Sequence, residues 1–379
     1  MWGFLLWFFL SLPPLYFLLI VILKKVSHKP APPTLESLYY LSASNGGERP
    51  GDRLDSIKSG PASVELSVVV PAYNEESRLE KGLTEALEWL EESRSKVTRL
   101  SKDASNDPRD TPSVNHDDAS LVRSYEVLII DDGSSDRTVQ KALQLSLSHA
   151  AKTDNHPDSQ VRVIRLGKNR GKGGAVRHGI LHSRGELVLF VDADGATKFS
   201  DLTKLIKNLK TIQIPSTQSG PTRTATTTTA ETTTTTKREK GGGEQYGMAI
   251  GSRAHLVSSP TVVSRTKFRN FLMNCFHLYL FILGLQDIRD TQCGFKLMTR
   301  ATAIRVVEGL HVEGWIFDVE LLLRAKLIKE PRIPIVEVPI QWEEIQGSKL
   351  SVVKDSLIMA VELFLIRINY LLGKKELMK

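Results

Sequence analysis

The chain has only two cysteines, Cys275 and Cys293, among its 379 residues. Two thiols cannot build a disulfide framework, which excludes the small disulfide-stabilised secreted class and predicts reduced thiols in a cytosolic domain. Zinc-ligand spacing and basic motifs interleaved with aromatic residues are also missing, so we predict no nucleic-acid partner. The net charge of +7 is spread along the chain. It is typical of a solvated surface, and beside a membrane it also suits anionic head groups or an anionic substrate.

Residues 2–23 contain no charged side chain. A helix of this length would reach roughly 30 Å, the thickness of a bilayer core. The basic region expected before a signal peptide's apolar run is missing, and Lys24 and Lys25 follow the run instead. We therefore predict an uncleaved transmembrane signal-anchor at residues 1–23. Because basic residues stay preferentially on the cytoplasmic side, the rest of the chain is expected to face the cytosol.

Three further stretches lack hydrophobic periodicity. Residues 24–63 are rich in Pro, Gly and Ser and are predicted to be a flexible linker. Residues of about 93–120 and 213–244 are predicted to be polar insertions in the folded domain, the second of them disordered because it holds a Thr-rich tract at 226–236.

Residues 64–354 alternate short β-branched apolar runs with segments of helical periodicity. This alternation predicts an α/β domain with a mostly parallel, doubly wound sheet. Residues 355–379 are expected to form a C-terminal apolar helix. This helix and the apolar segment 268–285 are interrupted too often to span a bilayer, which leaves two alternatives: they lie along the membrane surface, or they are core helices.

Two carboxylates follow a predicted strand as Asp192 and Asp194, with the small Ala193 between them. In an extended segment residues i and i+2 point to the same side, so both carboxylates can face one ligand. A divalent cation bound there would neutralise the charge that develops on a departing nucleoside diphosphate. Taken alone, acids at a strand end also serve as helix caps.

Three other features converge on a nucleotide. Acids or a polar loop follow two more predicted strands, at residues 71–76 and at Asp131 and Asp132, and a glycine-rich basic loop with Lys172 and Gly173 opens a helix. The carboxyl ends of strands in open α/β sheets bind nucleotides, and helix amino termini attract phosphates. Val176 stands where a dinucleotide fingerprint has its third glycine, which argues against NAD.

Together, these segments resemble the inverting family 2 glycosyltransferases with a GT-A fold. The matching stretches are residues 70–76, 131–138, 169–174, 192–194 and 251–253. Further segments at 289–296, 315–320 and 344–350 resemble the branch that transfers glucose to dolichyl phosphate. The resemblance implies a GT-A nucleotide-sugar-binding fold, the substrates UDP-glucose and dolichyl phosphate, a divalent metal (Mg²⁺ or Mn²⁺), and a single-pass protein of the endoplasmic reticulum membrane whose catalytic domain faces the cytosol.

The resemblance also implies roles for individual residues. Asp192 and Asp194 would bind the metal and diphosphate, and Arg253 would lie near the acceptor phosphate. Weaker matches assign the acceptor phosphate to Arg265, Arg269 and Lys296. The nucleotide-sugar-binding set comprises Pro71, Tyr73, Glu75, Asp131, Asp132, Lys172 and Gly173.

Several alternatives stay open from the residues alone. Asp318 and Glu320 either orient the sugar or the acceptor, or they begin a helix. Gly314 stands where relatives tend to have Arg, which weakens any role for that position. A mannose transferase using GDP-mannose and a non-catalytic membrane-tethered module that binds a nucleotide sugar or lipid are the competing functions.

Overall fold

The computed structural model describes residues 32–44, 47–106, 120–215, 244–256, 276, 278–345 and 352–372. The predicted anchor at residues 1–23 lies outside these ranges. Among the helices within them, none is both long and apolar enough to cross a bilayer.

A nine-stranded sheet forms the centre of the domain, in the order β11-β9-β10-β6-β3-β4-β5-β1-β2. The strands within the described ranges are β1 (Tyr39–Ser44), β2 (Gly47–Arg53), β3 (Val64–Ala72), β4 (Tyr125–Asp131), β5 (Ser159–Arg165), β6 (Gly185–Val191), β7 (Ile214–Pro215), β8 (Gln245–Tyr246), β9 (Met248–Ser252), β10 (Phe295–Thr299) and β11 (Ile335–Pro339). The pairs β6-β3-β4-β5 and β9-β11 are parallel, whereas β10 is antiparallel to both of its neighbours and β1 to both of its own. The sheet is therefore mixed, and the prediction of a mostly parallel sheet is wrong at both flanks.

Helices cover both faces of the sheet, and the first three along the chain connect its parallel strands. They are α1 (Leu79–Asn106), α2 (Thr138–Lys152), α3 (Lys172–Leu181), α4 (Leu202–Ile212), α5 (Arg300–Val307), α6 (Phe317–Leu327) and α7 (Val352–Leu372). Every residue of β4 is buried, as expected for a central strand covered on both sides. Val69 and Leu128 belong to the apolar cluster on one face, and Val68 and Val127 belong to the cluster on the other. Each such buried side chain stabilises the fold by about 1.5–3 kcal/mol.

The stretch predicted to be a linker, residues 24–63, contains two strands. β1 pairs with β2 and, at Leu41, with Val163 of the sheet edge. Leu54 and Ile57 are buried beyond the hairpin. The prediction failed because Pro50 and Gly51 hide the strand pattern, and an edge strand tolerates such residues.

The two predicted insertions are shorter than expected. α1 continues to Asn106, through half of the stretch 93–120, and residues 107–119 lie outside the described ranges. At the other insertion, β7 pairs antiparallel with β8, so the ends of residues 216–243 are held together. Those residues themselves are not described.

Candidate active site

The acidic segments predicted from the sequence meet at one edge of the sheet. β3, β4, β6 and β9 all run in the same direction, and they end at Ala72, Asp131, Val191 and Ser252. β10 runs the other way and therefore begins at this edge, with Phe295 opposite Val191. A mixed sheet thus brings residues from five parts of the chain to one edge, the crevice where open α/β sheets bind ligands.

Asp192 and Asp194 stand directly beyond β6 with partly exposed side chains, 36% and 27% accessible respectively. Asp194 accepts a hydrogen bond from the Ala196 N–H at 3.0 Å. Burial raises the pKa of Asp194, and the negative charge of Asp192 raises it further. Two neighbouring carboxylates that repel each other provide a favourable site for a cation.

Glycines let the surrounding backbone approach these acids. The Gly294 carbonyl accepts the Asp192 N–H at 3.1 Å. A Cβ at Gly294 would lie 2.6 Å from Asp192 Oδ1, and still closer to the other atoms of that carboxyl group. On the other side, a Cβ at Gly82 of α1 would lie 2.7 Å from the Ala193 carbonyl oxygen. A side chain at either position would displace the acidic turn.

Lys172, at the start of α3, provides a positive charge at the centre of the site. Its Nζ lies 2.6 Å from Asp192 Oδ1. Burial disfavours the ammonium, but the carboxylates of Asp192 and then Asp318 outweigh this effect and raise the pKa of Lys172. The lysine therefore stays charged beside the acid pair.

The glycine-rich loop before α3 uses its amides within the protein. Asp132 accepts the Arg170 N–H at 2.7 Å and the Gly171 N–H at 2.8 Å, and the Gly174 N–H donates to the Glu313 carbonyl at 3.1 Å. Three amides that the sequence assigned to phosphate binding are thus already bonded. Asp132, a member of the predicted nucleotide-sugar-binding set, thus holds this loop, and burial raises its pKa to about 7 although the two amides oppose the rise.

Asp131 differs from its neighbour in having an unused oxygen. Its side chain is fully buried, and Oδ2 accepts the Ser134 N–H at 3.3 Å. No hydrogen-bond donor within the part of the chain that the structure describes reaches Oδ1. A buried acceptor without a partner costs about 1–3 kcal/mol.

The loop after β3 is attached to the loop after β4. Asn74, which has a φ of 54°, makes two hydrogen bonds to that loop. Its N–H donates to Ser134 Oγ at 2.8 Å, and its side-chain oxygen accepts the Ser135 N–H at 2.8 Å. Pro71 pairs in register with Ile130, and Tyr73 is 39% exposed above the strand ends. A partly exposed aromatic side chain therefore stands directly beyond β3.

Glu75 is held by Arg78, a residue that the sequence did not single out. Arg78 donates to both carboxylate oxygens of Glu75, at 2.8 and 2.7 Å, and its Nη1 lies 4.0 Å from Asp194 Oδ2. Arg78 therefore connects the predicted nucleoside loop to the predicted metal-binding acid. An Arg three residues after an acid in a helix-opening turn is common, so the local pattern gave no signal.

Arg253 follows β9 and is oriented by Asp290. Its Nε and Nη2 donate to the two carboxylate oxygens of Asp290 at 2.7 and 2.9 Å. Its guanidinium also lies 5.3 Å from the ring centre of Trp342. Burial disfavours its charge, but hydrogen bonding to Asp290 raises the pKa of Arg253 overall. Asp290 is a second site residue missed by sequence reasoning, because the pair is 37 positions apart.

Lys296 and Asp318 are deeper than predicted. Lys296 Nζ donates to Asp318 Oδ1 and to the Cys293 carbonyl, each at 2.6 Å, and neither side chain is more than 3% exposed. The prediction that Lys296 contacts the acceptor phosphate disagrees with this position, because its ammonium does not reach the crevice. Asp318 likewise faces Lys296 and Lys172 rather than open space.

Glu320 also points into the protein. Its Oε2 accepts the N–H groups of His311 and Val312 at 2.9 and 2.8 Å, and its Oε1 accepts from the Tyr370 hydroxyl at 3.0 Å. These bonds secure the loop before α6 and attach α7 to it. Asp318 and Glu320 both lie in the first turn of α6, which agrees with the alternative that they begin a helix.

Cys293 is buried and its pKa is raised to about 12 by burial, which keeps the thiol protonated. This is the environment of a structural thiol rather than a nucleophile. Arg265 and Arg269, assigned above to the acceptor phosphate, lie outside the described residues.

Comparison with known proteins agrees with this arrangement of strands and acids. The family model described as Glycosyl transferase family 2 matches residues 119–271. A dolichyl-phosphate beta-glucosyltransferase of Saccharomyces cerevisiae is 38% identical over 368 residues, covering 97% of this chain and 93% of that protein. The Homo sapiens protein of the same name is 40% identical, covering 89% of this chain and 84% of its own. The Drosophila melanogaster one is 42% identical over 84% of this chain and 78% of its own length.

Solved structures with lower similarity include glucosyl-3-phosphoglycerate synthase from Mycobacterium tuberculosis in complex with UDP. It is 14% identical, covers 84% of each chain and has a TM-score of 0.43. The identities to the curated proteins, over nearly full length, are decisive. The chain belongs to the family of dolichyl-phosphate beta-glucosyltransferases, within glycosyl transferase family 2.

Proposed function

We propose that the protein transfers glucose from UDP-glucose to dolichyl phosphate with inversion, releasing UDP and dolichyl β-D-glucosyl phosphate. Such a lipid-linked sugar is a donor for N-glycan assembly. Membership of the family supports the reaction. The structural observation that carries the proposal is the pair Asp192 and Asp194 beside Lys172, at the sheet edge where open α/β folds bind nucleotides.

The donor's nucleoside is proposed to lie over Asp131 and Tyr73. Asp131 is fully buried at the end of β4 and accepts the Ser134 N–H, so its proposed part is to hold the loop after β4. Tyr73 offers an exposed ring to the base. Pro71 and Glu75 shape the same loop, while Asp132 acts through the glycine-rich loop that it holds.

The acid pair fits a divalent cation, Mg²⁺ or Mn²⁺. Among the residues with described positions, no three or more potential ligand side chains cluster together. Mg²⁺ is usually bound by one or two carboxylates together with substrate phosphates, which matches a site built from Asp192 and Asp194. When bound, the cation would neutralise charge on the departing diphosphate. Lys172 would contribute a second positive charge at the same place.

The acceptor phosphate is proposed to bind at Arg253. A phosphate is already ionised at neutral pH and needs little help from a general base, so the protein must mainly align it and offset repulsion between anions. A guanidinium carries five N–H donors, and Asp290 uses two of them at Arg253. Donors therefore remain for a phosphate oxygen.

The acceptor is a lipid, and we further propose that the protein acts at the cytosolic face of the endoplasmic reticulum membrane, anchored by residues 1–23. Support comes from two helical stretches that carry exposed apolar side chains and are joined by a hydrogen bond from the Tyr279 hydroxyl to the Leu363 carbonyl at 2.8 Å. The exposed side chains are Leu278, Phe281, Ile282, Ile358, Val361 and Phe364. Apolar surface of this kind suits a bilayer.

The test uses purified full-length protein with dolichyl phosphate, Mg²⁺ or Mn²⁺, and radiolabelled UDP-glucose or GDP-mannose in parallel. We expect labelled lipid from UDP-glucose only. Labelled lipid from GDP-mannose would show that the donor is GDP-mannose instead of UDP-glucose. If neither donor gives labelled lipid, the proposed enzymatic activity is wrong.

A further inference from the structure

The ion pair between Lys296 and Asp318 has no access to a substrate. The Lys296 side chain is 0% exposed and that of Asp318 is 3% exposed, and the ammonium also lies 5.1 Å from the ring centre of Phe190. Desolvating two charges is costly, and an apolar pair of similar volume is often equally stable or more so. Stability alone is therefore a weak explanation for the pair.

One end of the pair leads to the first metal-binding acid. Lys296 Nζ donates to the Cys293 carbonyl at 2.6 Å. The next residue, Gly294, accepts the Asp192 N–H at 3.1 Å and makes room for the Asp192 carboxylate. Lys296 thus fixes the segment against which Asp192 packs.

The other end leads to Lys172. Asp318 stands in the first turn of α6, and its neighbour Phe317 fills the space beside Gly173, where a Cβ would lie 2.5 Å from the Phe317 Cβ. Gly173 is adjacent to Lys172. The charge of Asp318 also acts on Lys172 directly, second only to Asp192 among the neighbouring carboxylates.

We propose that Lys296 and Asp318 are positioning residues that hold Lys172 and Asp192 in the arrangement that accepts the metal and the diphosphate. The inference rests on the proposed function. Asp318 attracts the Lys172 ammonium as Asp192 does, so that Asp192 is not the only carboxylate that pairs with the lysine. Without Asp318, Lys172 would bind Asp192 more tightly and compete with the cation.

The test removes both charges together. Lys296→Met with Asp318→Leu replaces the pair by apolar side chains of similar size, which avoids the unpaired buried charge that either single change leaves. We expect a thermal midpoint near that of the parent protein. Mn²⁺ binding with UDP, followed by electron paramagnetic resonance, should weaken at least ~10-fold, as for changes of residues that support metal ligands. The KM for UDP-glucose should rise together with the loss of metal affinity.

A matched control is the ion pair between Glu126 and Arg184, at the opposite end of β4 with a separation of 3.0 Å. Glu126→Leu with Arg184→Met should leave the Mn²⁺ affinity of the folded protein unchanged. Asp318→Asn tests the charge alone, since an amide oxygen still accepts from Lys296, and it should give a smaller loss in the same direction.

Parental Mn²⁺ affinity and turnover in a folded Lys296→Met, Asp318→Leu protein would overturn the inference and leave the pair a purely structural element. Should that protein not fold, parental affinity in Asp318→Asn would overturn it equally. Failure of the parent protein to transfer glucose would refute the proposed function instead, while the Mn²⁺ and UDP measurements would still decide the positioning role.

Discussion

Asp290 orients Arg253 through two parallel hydrogen bonds, with the carboxylate facing the Nε and Nη2 edge of the guanidinium. The Arg253 N–H also donates to Asp290 Oδ2 at 2.8 Å, so backbone and side chain are held by one residue. Asp290 is itself placed by Glu337 of β11, which accepts the Asp290 N–H at 2.8 Å. This arrangement fixes the guanidinium before any acceptor arrives.

Asp290→Asn should weaken use of the acceptor more than use of the donor. Asn accepts only one of the two hydrogen bonds and carries no charge, so Arg253 loses its fixed orientation. We expect kcat/KM for dolichyl phosphate to fall about 10–100-fold, the range expected when a positioning group is displaced. UDP affinity, measured by calorimetry, should stay within twofold. An equal loss in both measurements would contradict an acceptor-specific role.

Gly294→Ala should abolish activity with little effect on the rest of the fold. The new methyl group would overlap the Asp192 carboxylate, so the acid must turn away from its present position. We expect at least ~100-fold lower turnover, because a metal-binding group contributes several kcal/mol to the reaction barrier. Gly60→Ala is the control, since a Cβ there meets no atom within 4 Å. Normal turnover of folded Gly294→Ala would refute the assignment of Asp192.

Asp194→Asn should remove metal-dependent turnover. The amide oxygen can still accept the Ala196 N–H, so the turn is retained, but the charge that attracts a cation is lost. We expect a loss of more than about 100-fold at saturating Mg²⁺. Chelation of metal from the parent protein should match it and be reversed by Mg²⁺ or Mn²⁺. Chelator-resistant transfer by the parent protein would disprove the metal site.

Acid should destabilise the protein partly through His178. Burial, followed by the adjacent ring of His182, lowers the pKa of His178 to about 3. Its Nε2–H donates to the Ser37 carbonyl at 2.8 Å. The unfolded chain binds this proton near pH 6.5, so above that pH His178 causes no loss of stability. As pH falls from 6.5 toward 3, the free energy of unfolding decreases by up to about 1.4 kcal/mol per pH unit.

His178→Gln keeps a donor near the same place but does not titrate. Its free energy of unfolding, measured in urea from pH 7 to 4, should fall less steeply than that of the parent protein. His156→Gln, in the loop before β5, serves as the control for removal of a histidine. If the free energy of unfolding depends on pH equally in the parent protein and in His178→Gln, then His178 does not contribute to acid unfolding.

The central part of the fold was predictable because its strands are continuous apolar runs, and β4 and β6 lead directly into acids. β3, β4 and β6 bury nearly every residue, and such runs have few alternatives in an α/β pattern. The hairpin of β1 and β2 was not predictable, because its stability comes from pairing with β5 rather than from its own composition.

Individual site residues were predictable where their role depends on a short motif. Asp192 and Asp194 were singled out because their spacing coincides with other nucleotide-binding features and with the family resemblance. The role of Lys296 was not predictable, because a lysine within a strand resembles an exposed base until its partner Asp318, 22 positions away, is known. Arg78 and Asp290 were missed for the same reason: their importance depends on contacts between distant segments.

The segment that follows the proposed anchor is fastened to the catalytic domain almost from its first described residue. His178 holds Ser37, His182 donates to the Asp55 carbonyl at 2.9 Å, and Arg300 donates to the Gly60 carbonyl at 3.1 Å. If the proposed anchor ends at Leu23, eight residues, 24–31, separate it from the first described residue, and eight fully extended residues span at most about 26–29 Å. A catalytic domain anchored in this way would stay within about one bilayer thickness of the membrane that holds its lipid acceptor.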